Sequence, residues 1–340
     1  MKVNIRKDSV PVMIELMRSL KKGTLADDML DELLDHPDYV MEFSRYNKGI
    51  TREVFADYLK KFPALTENDI SNINLRIHHK YYRDFYEDPD TYEKSLSLLD
   101  FDSEALNEQA QIAKKGLPDD LKIEQVDLVF TIGIGPSFGY IHGNNIHFDF
   151  LQLVKEKSKA EFDASIAHEI HHVGFNALIS EEAMRKLSLE ELFYLYFSGE
   201  GLAVKYCNNA EGNLSKSIYP GPKNIGLDPY SWNYLNRDFE NMMRRFKSTL
   251  GKIRNGTFTT EDFQKELKDY WMNPYHENQD DQAVPALKQL RLYSFGNEIW
   301  GVIHDAFGKA KVFETLRNLK TFPEVYNQAL AKLGKKTYTI

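Results

Sequence analysis

Cysteine is almost absent: Cys207 stands alone among 340 residues, so no internal disulfide can form and a reducing compartment is expected. No apolar run approaches the roughly 20 residues that a membrane-spanning helix needs. The opening stretch MKVNIRKDSVPVMIELMRSLKK has no secretory core either, because Asp8, Pro11 and Glu15 interrupt its apolar positions. No tract rich in lysine or arginine occurs, and 43 basic against 51 acidic residues leave a net charge of −8. Nucleic acid and membrane are therefore not expected as partners. Repeats and low-complexity segments are also missing. These absences predict a cytoplasmic globular protein that meets soluble partners, and they leave its oligomeric state open.

What is present is an ordinary globular composition, with 42% apolar and 28% charged residues, in a chain long enough for one large domain or two. Residues 10–115 read as helices broken at Lys22-Gly23, His36-Pro37, Phe62-Pro63 and Asp88-Pro89. Thr24, Thr51, and Thr66 with Asp69 are the expected caps. The pattern switches after Gly116. Residues 126–134, 137–142 and 146–150 are β-branched or alternating, with Gly143-Asn144-Asn145 joining the last two, which predicts a three-stranded antiparallel sheet. A loop rich in Asn, Gly and Pro over 208–230 is long enough to serve as a lid, and helices close the chain. The expected fold is α+β and mainly helical, with an N-terminal helical region over 1–118. A second domain over 119–340 would hold the sheet at 126–150, helices at 162–178 and 199–207, and the C-terminal helices.

Ten histidines are spread along this pattern, and most read as structural. His78 and His79 have no carboxylate or cysteine at ligand spacing and are expected to pack or face solvent. His142 and His147 read as strand surface, His304 as packing and His276 as a solvated loop residue.

The stretch FDASIAHEIHHVGFNAL is different, because His168, Glu169 and His172 follow the order H-E-x-x-H on a predicted helix. Residues four apart on a helix are separated by about 6 Å along the axis and only about 40° around it. Both imidazoles can thus reach one zinc ion. Glu169, next to the first ligand, projects beside the metal and can take a proton from an attacking water. Ile166, Ile170, Val173 and Leu178 form the apolar stripe that would hold the helix to a core. His171 has no ligand position and is expected as a neighbour of the site or as a solvated residue.

A catalytic zinc needs a third protein ligand and an open position. The metzincin extension would place Gly at 175 and His at 178, but Phe175 and Leu178 stand there, so that branch is excluded. The remaining solution is a glutamate on a second helix, supplied by Glu200 in Ser198-Gly199-Glu200-Gly201. Its flanking glycines would let the backbone approach the first helix closely. Glu190 and Glu191 are rivals, but with Glu181 and Glu182 they read as a solvated face.

HEIHH at 168–172, EGLA at 200–203, Tyr293-Ser294-Phe295-Gly296 and FPEVYNQA at 322–329 together resemble the gluzincin class of zinc peptidases. More closely, they resemble a bacterial family of zinc-dependent peptidases without assigned function. The resemblance spans about half the chain and implies a zincin-like core, a Zn2+ cofactor and a peptide or protein substrate. The strand before the histidine helix would line the cleft and pair with an extended substrate. It further implies a second oxyanion donor beyond the glutamate ligand, for which Tyr293 is placed at a helix start, with His276 and Tyr230 as alternatives. Two departures stand out. Gluzincins often carry an Asp three or four residues after the glutamate, where this chain has Ala203 and Val204, so the partners of the ligands stay unassigned. The Gly-x-Met-Glu-Asn segment of gluzincin aminopeptidases is missing, which leaves exo and endo action open. The alternatives to a metallopeptidase are a metal-dependent sensor on a zincin fold, favoured by the first departure, and a zinc hydrolase of a non-peptide amide or ester.

Overall fold

Residues 1–46, 49–156, 159–275 and 286–340 are described by a computed structural model. Their contacts group into two compact units, one of residues 1–108 and 123–163 and one of residues 109–122 and 164–340. This grouping does not follow the expected division after 118, since the strands fall with the N-terminal helices.

In the first unit, the helix Ser9–Lys22 buries Val10, Met13, Ile14, Met17 and Leu20 at three- and four-residue spacing. It ends on Gly23, whose left-handed backbone (φ 69°) turns its N–H back to the last carbonyls. Thr51 caps Arg52–Lys61 as expected, accepting from Val54 N. Two other caps differ from expectation. Thr24 does not cap the next helix, Asp27–Leu34, which starts after Ala26; its hydroxyl and N–H donate instead to Ser19 O at the end of the preceding one. Thr66 and Asp69 form a capping box on a single short turn, whereas the long helix Ile73–Glu87 takes its cap from Asn72. An asparagine oxygen facing two free N–H groups does that work equally well.

The sheet has four strands, β1 Lys2–Arg6, β2 Gln125–Thr131, β3 Gly139–His142 and β4 Asn145–Asp149, in the order β1-β2-β4-β3. It is mixed and not the expected antiparallel trio: β2 runs parallel to both β1 and β4, and only the β3–β4 hairpin is antiparallel. The segment 132–138 carries the chain past β4, so β3 joins at the edge. β1 pairs Val3 with Val126 and Ile5 with Leu128. His147 is fully buried, a correction to its expected surface place; its ring stacks on Tyr140 at 4.6 Å. His142 is exposed as expected, and His78 and His79 are buried.

Three helices organise the second unit. The histidine helix, Lys159–Asn176, has its first residues in the first unit and the rest here. The glutamate helix is Ser198–Cys207 and the tyrosine helix is Arg291–Phe307. A Cβ on Gly201 would lie 2.3 Å from the Gly296 carbonyl carbon, and one on Gly296 would lie 2.2 Å from Phe197 O. The last two helices therefore cross backbone to backbone, a contact open only to glycine. Gly201 thus serves the tyrosine helix and not the histidine helix as expected, while Gly199 makes only ordinary contact with Phe175. Phe295, Ile299, Trp300 and Ile303 are fully buried beneath this crossing.

The loop after the glutamate helix is strapped down. Glu298 is buried and accepts from Leu214 N at 2.7 Å and Ser215 N at 2.9 Å. Lys205, also buried, donates to Ser215 Oγ and to Asp305, each at 2.7 Å. Among the described residues no helix is long and apolar enough to cross a membrane.

Candidate metal centre

The histidine helix is held by Ile166, Ile170 and Val173, all buried, so its opposite edge carries His168 and His172. Glu200 sits in the first turn of the glutamate helix, where the partial positive charge of the free N–H groups favours a carboxylate. His168 Nε2 is 3.0 Å from Glu200 Oε2, His172 Nε2 is 3.1 Å from the same oxygen, and the two nitrogens are 3.0 Å apart. Among the described residues this is the group of histidines and carboxylates that converges as a metal cage. Ligand atoms about 2.0–2.2 Å from a tetrahedral zinc stand about 3.3 Å from one another, so the donor set fits zinc in both spacing and chemistry.

The electrostatics follow from this closeness. Burial alone would lower the His172 pKa, but the charge and hydrogen bond of Glu200, with the charge of Glu169, together outweigh it and raise the group to about 9. Burial likewise pushes Glu200 upward, and His172 with His168 overcomes it, holding the carboxyl well below its ordinary range. A divalent cation at that point would take the place of the proton that Glu200 holds on His172.

Glu169 is half-buried, and its charge bears on His172, Tyr293 and Cys207. Tyr293 lies at the start of its helix with its ring parallel to His168, 6.0 Å between centroids and 15° between planes. Burial first, then the charges of Glu200 and Glu169, raises its pKa far above the ordinary value. It therefore keeps its proton and remains a donor. Tyr196, which the sequence did not single out, also feels Glu200 and is pushed up to about 12, mostly by burial.

Other expected positions resolve differently. His171 is fully buried and not solvated: its Nε2 is 3.3 Å from the Gly116 carbonyl, its ring stacks on Tyr206, and burial lowers it to about 3. Glu191 is buried in a capping box with Ser188, while Glu190 pairs with Arg254 at 3.0 Å. Only Glu181 and Glu182 match the expected solvated face. His304 packs as expected, 3.0 Å from the Tyr206 hydroxyl. Tyr230 is 40% exposed, and His276 lies outside the described residues.

Sequence reasoning passed over Asn208, whose Oδ1 is 2.8 Å from His168 Nδ1. The sole hint was an Asn-Asn pair where the glutamate helix runs into the loop.

Two helices thus present an H-E-x-x-H pair and a glutamate to one point, the arrangement of a mononuclear metal centre. The model of the family described as "Putative zinc dependent peptidase (DUF5700)" matches residues 30–335. The chain belongs to that family, and zinc is its metal. No curated protein and no solved structure matches the chain.

Proposed function

We propose that this protein is a zinc metallopeptidase in which His168, His172 and Glu200 hold the ion and Glu169 is the general base. The observation that carries the reading is the convergence of three ligand atoms within 3.0–3.1 Å of one another, with Glu169 adjacent in sequence to one of them. Zinc, when bound, polarises a carbonyl and makes water acidic enough to react near neutral pH. Glu169 takes the proton of the attacking water and returns it to the leaving amine, acting first as base and then as acid. Tyr293, protonated at working pH, donates to the oxyanion of the tetrahedral intermediate. His168 and His172 fix the geometry and move no proton.

A zincin-like core in the second unit and a cytoplasmic location belong to the same proposal. The latter is supported by the lone, buried, unbridged Cys207. A non-catalytic sensor rested on the absence of a partner for the ligands at 203 and 204; Asn208 beside His168 removes that support. The test is Glu169→Gln. It should keep stoichiometric zinc and the wild-type fold, yet lose peptide-bond turnover by roughly 10²- to 10⁴-fold. Wild-type turnover in a zinc-loaded Glu169→Gln protein would falsify the mechanism, and a zinc-loaded wild type that cleaves small amides or esters but no peptide would move the substrate class.

A further inference from the structure

We infer that Asn208 is a positioning residue for His168 and that the same side chain couples the metal centre to the loop 209–227. The inference rests on the zinc site proposed above.

An imidazole coordinates a metal only through a nitrogen without a proton, and a partner on the other nitrogen selects which one that is. His168 Nδ1 faces Asn208 Oδ1 at 2.8 Å. The orientation of the amide is set by its other end. Asn208 Nδ2 is 2.7 Å from the Ile225 carbonyl, which can only accept, so the amide nitrogen must point there and the oxygen toward His168. Asn208 therefore holds the proton on Nδ1 and leaves the Nε2 lone pair aimed at Glu200 and His172.

The backbone of Asn208 is held as firmly as its side chain. Its N–H donates to Val204 O at 3.2 Å, closing the glutamate helix, and its carbonyl accepts from Ile225 N at 2.8 Å. Asn209 follows with a left-handed backbone, φ 50°. Its side chain accepts from Ile218 N and Tyr219 N and donates to the carbonyls of Tyr219 and Pro222 at 2.8–3.0 Å. The loop thus leaves and returns through two adjacent asparagines. Gly226, φ 72°, lies so near the histidine helix that a Cβ there would stand 2.8 Å from that of Ala164. Moving Ile225 outward would pull the amide from His168. By the reciprocity of linked equilibria, a zinc ion that needs His168 in this orientation also holds the loop shut.

The experiment compares Asn208→Ala, Asn208→Asp, Asn209→Ala and His172→Ala with the wild type. Three quantities are read: zinc affinity by competition with a chelator, the protonated ring nitrogen of His168 by nitrogen-15 NMR, and the rate of proteolytic cutting within 209–227 with and without zinc. Asn208→Ala should bind zinc about 10- to 100-fold more weakly. Asn208→Asp keeps the acceptor but not the donor, so its zinc affinity should return to within about threefold of wild type while its loop is cut faster. Asn209→Ala should loosen the loop yet leave zinc affinity within about threefold, and zinc should slow the cutting of the wild-type loop. Rescue by the acid, and a wild-type ring proton on Nδ1, are results that a merely structural asparagine would not give. Wild-type zinc affinity in Asn208→Ala, an Asn208→Asp protein as weak as the alanine variant, or a His168 proton on Nε2 would each overturn the inference. His172→Ala separates the levels: if it loses zinc while Asn208→Ala does not, only this inference fails, and if it keeps zinc, the proposed site falls and this inference with it.

Discussion

In the first unit His78 lies 3.3 Å from Asp149, His79 2.9 Å from the Tyr58 hydroxyl, and His147 3.9 Å from Glu42. In the second, His168 and His172 share one oxygen of Glu200. Both units bury imidazoles near carboxylates; the difference is whether the groups meet. Where they have separate partners, burial favours the neutral form: it depresses His147 to about 3, lowers His79, and lifts Glu42 to about 7, where Thr131 Oγ1 donates to it at 2.7 Å. Drawn together, they polarise one another instead, with His172 raised by Glu200 and Glu200 lowered in return. Burial thus makes a histidine inert unless a charge is brought to the same point. Histidine and acid content alone do not distinguish a core from a metal centre.

The sharpest way to exploit this contrast is at Tyr293, which adds a neutral donor to the charged cluster. Tyr293→Phe should cost about 2–4 kcal/mol of transition-state stabilisation, lowering kcat and kcat/KM together with KM and zinc content nearly unchanged. Full activity in that variant would pass the role to another residue, with Tyr196 and Tyr230 next. Glu200→Ala should weaken zinc binding by well over tenfold, since losing even an indirect partner of a ligand costs on the order of 10- to 100-fold. Glu42→Gln, removing a carboxyl buried more deeply than that of Glu200, should leave zinc binding unchanged; equal losses from the two would erase the distinction between the units.

Gly296→Ala probes how the second unit brings its groups together. The added methyl would meet backbone at 2.2 Å, which cannot rotate away as a side chain can, so a destabilisation of about 1–3 kcal/mol is expected. Loss of zinc affinity should accompany the lower Tm, because Gly201, next to Glu200, is the opposing residue. A variant with unchanged Tm and zinc affinity would mean that the crossing does not position the ligand.

The smallest expected effect is a slope with pH. Glu42 titrates near 7 in the folded chain against an ordinary 4.5, so between these values the native state holds the extra proton. Its contribution to stability is full below about pH 4.5 and fades as pH rises through 7. His147 runs the other way, its native pKa of about 3 lying below the ordinary 6.5; its contribution is full above 6.5 and fades as pH falls toward 3. The Tm of the wild type relative to Glu42→Gln should therefore decline between pH 5 and pH 8. A constant difference across that range would show that Glu42 is already ionised in the folded protein.

Much of the candidate metal centre was legible because its first half is local. The spacing of His168 and His172 and the placing of Glu169 beside them follow from helical periodicity within a few residues. Thr51 was readable as a cap for the same reason: an oxygen three residues before a free N–H needs no help from elsewhere. Thr24 and Thr66 mark the limit of that reasoning: one helix starts after Ala26, which has no side-chain cap to give, and the other after Asn72, whose own oxygen takes the free N–H groups.

What tertiary structure alone decided concerns groups far apart in the chain. Local pattern favoured Glu200 over Glu190 and Glu191, but through glycines expected to face the histidine helix; the fold instead packs Gly201 on Gly296, while Arg254 and Ser188 engage Glu190 and Glu191. Asn208 meets His168 across the fold, and β1 joins the sheet by pairing with a strand more than a hundred residues away. The sequence by itself determined the chemistry available on the histidine helix, because a helix sets its own side-chain directions. Which third group meets that chemistry, and what holds it in register, depended on packing between helices and on hydrogen bonds closed over long loops, and those follow no short-range period.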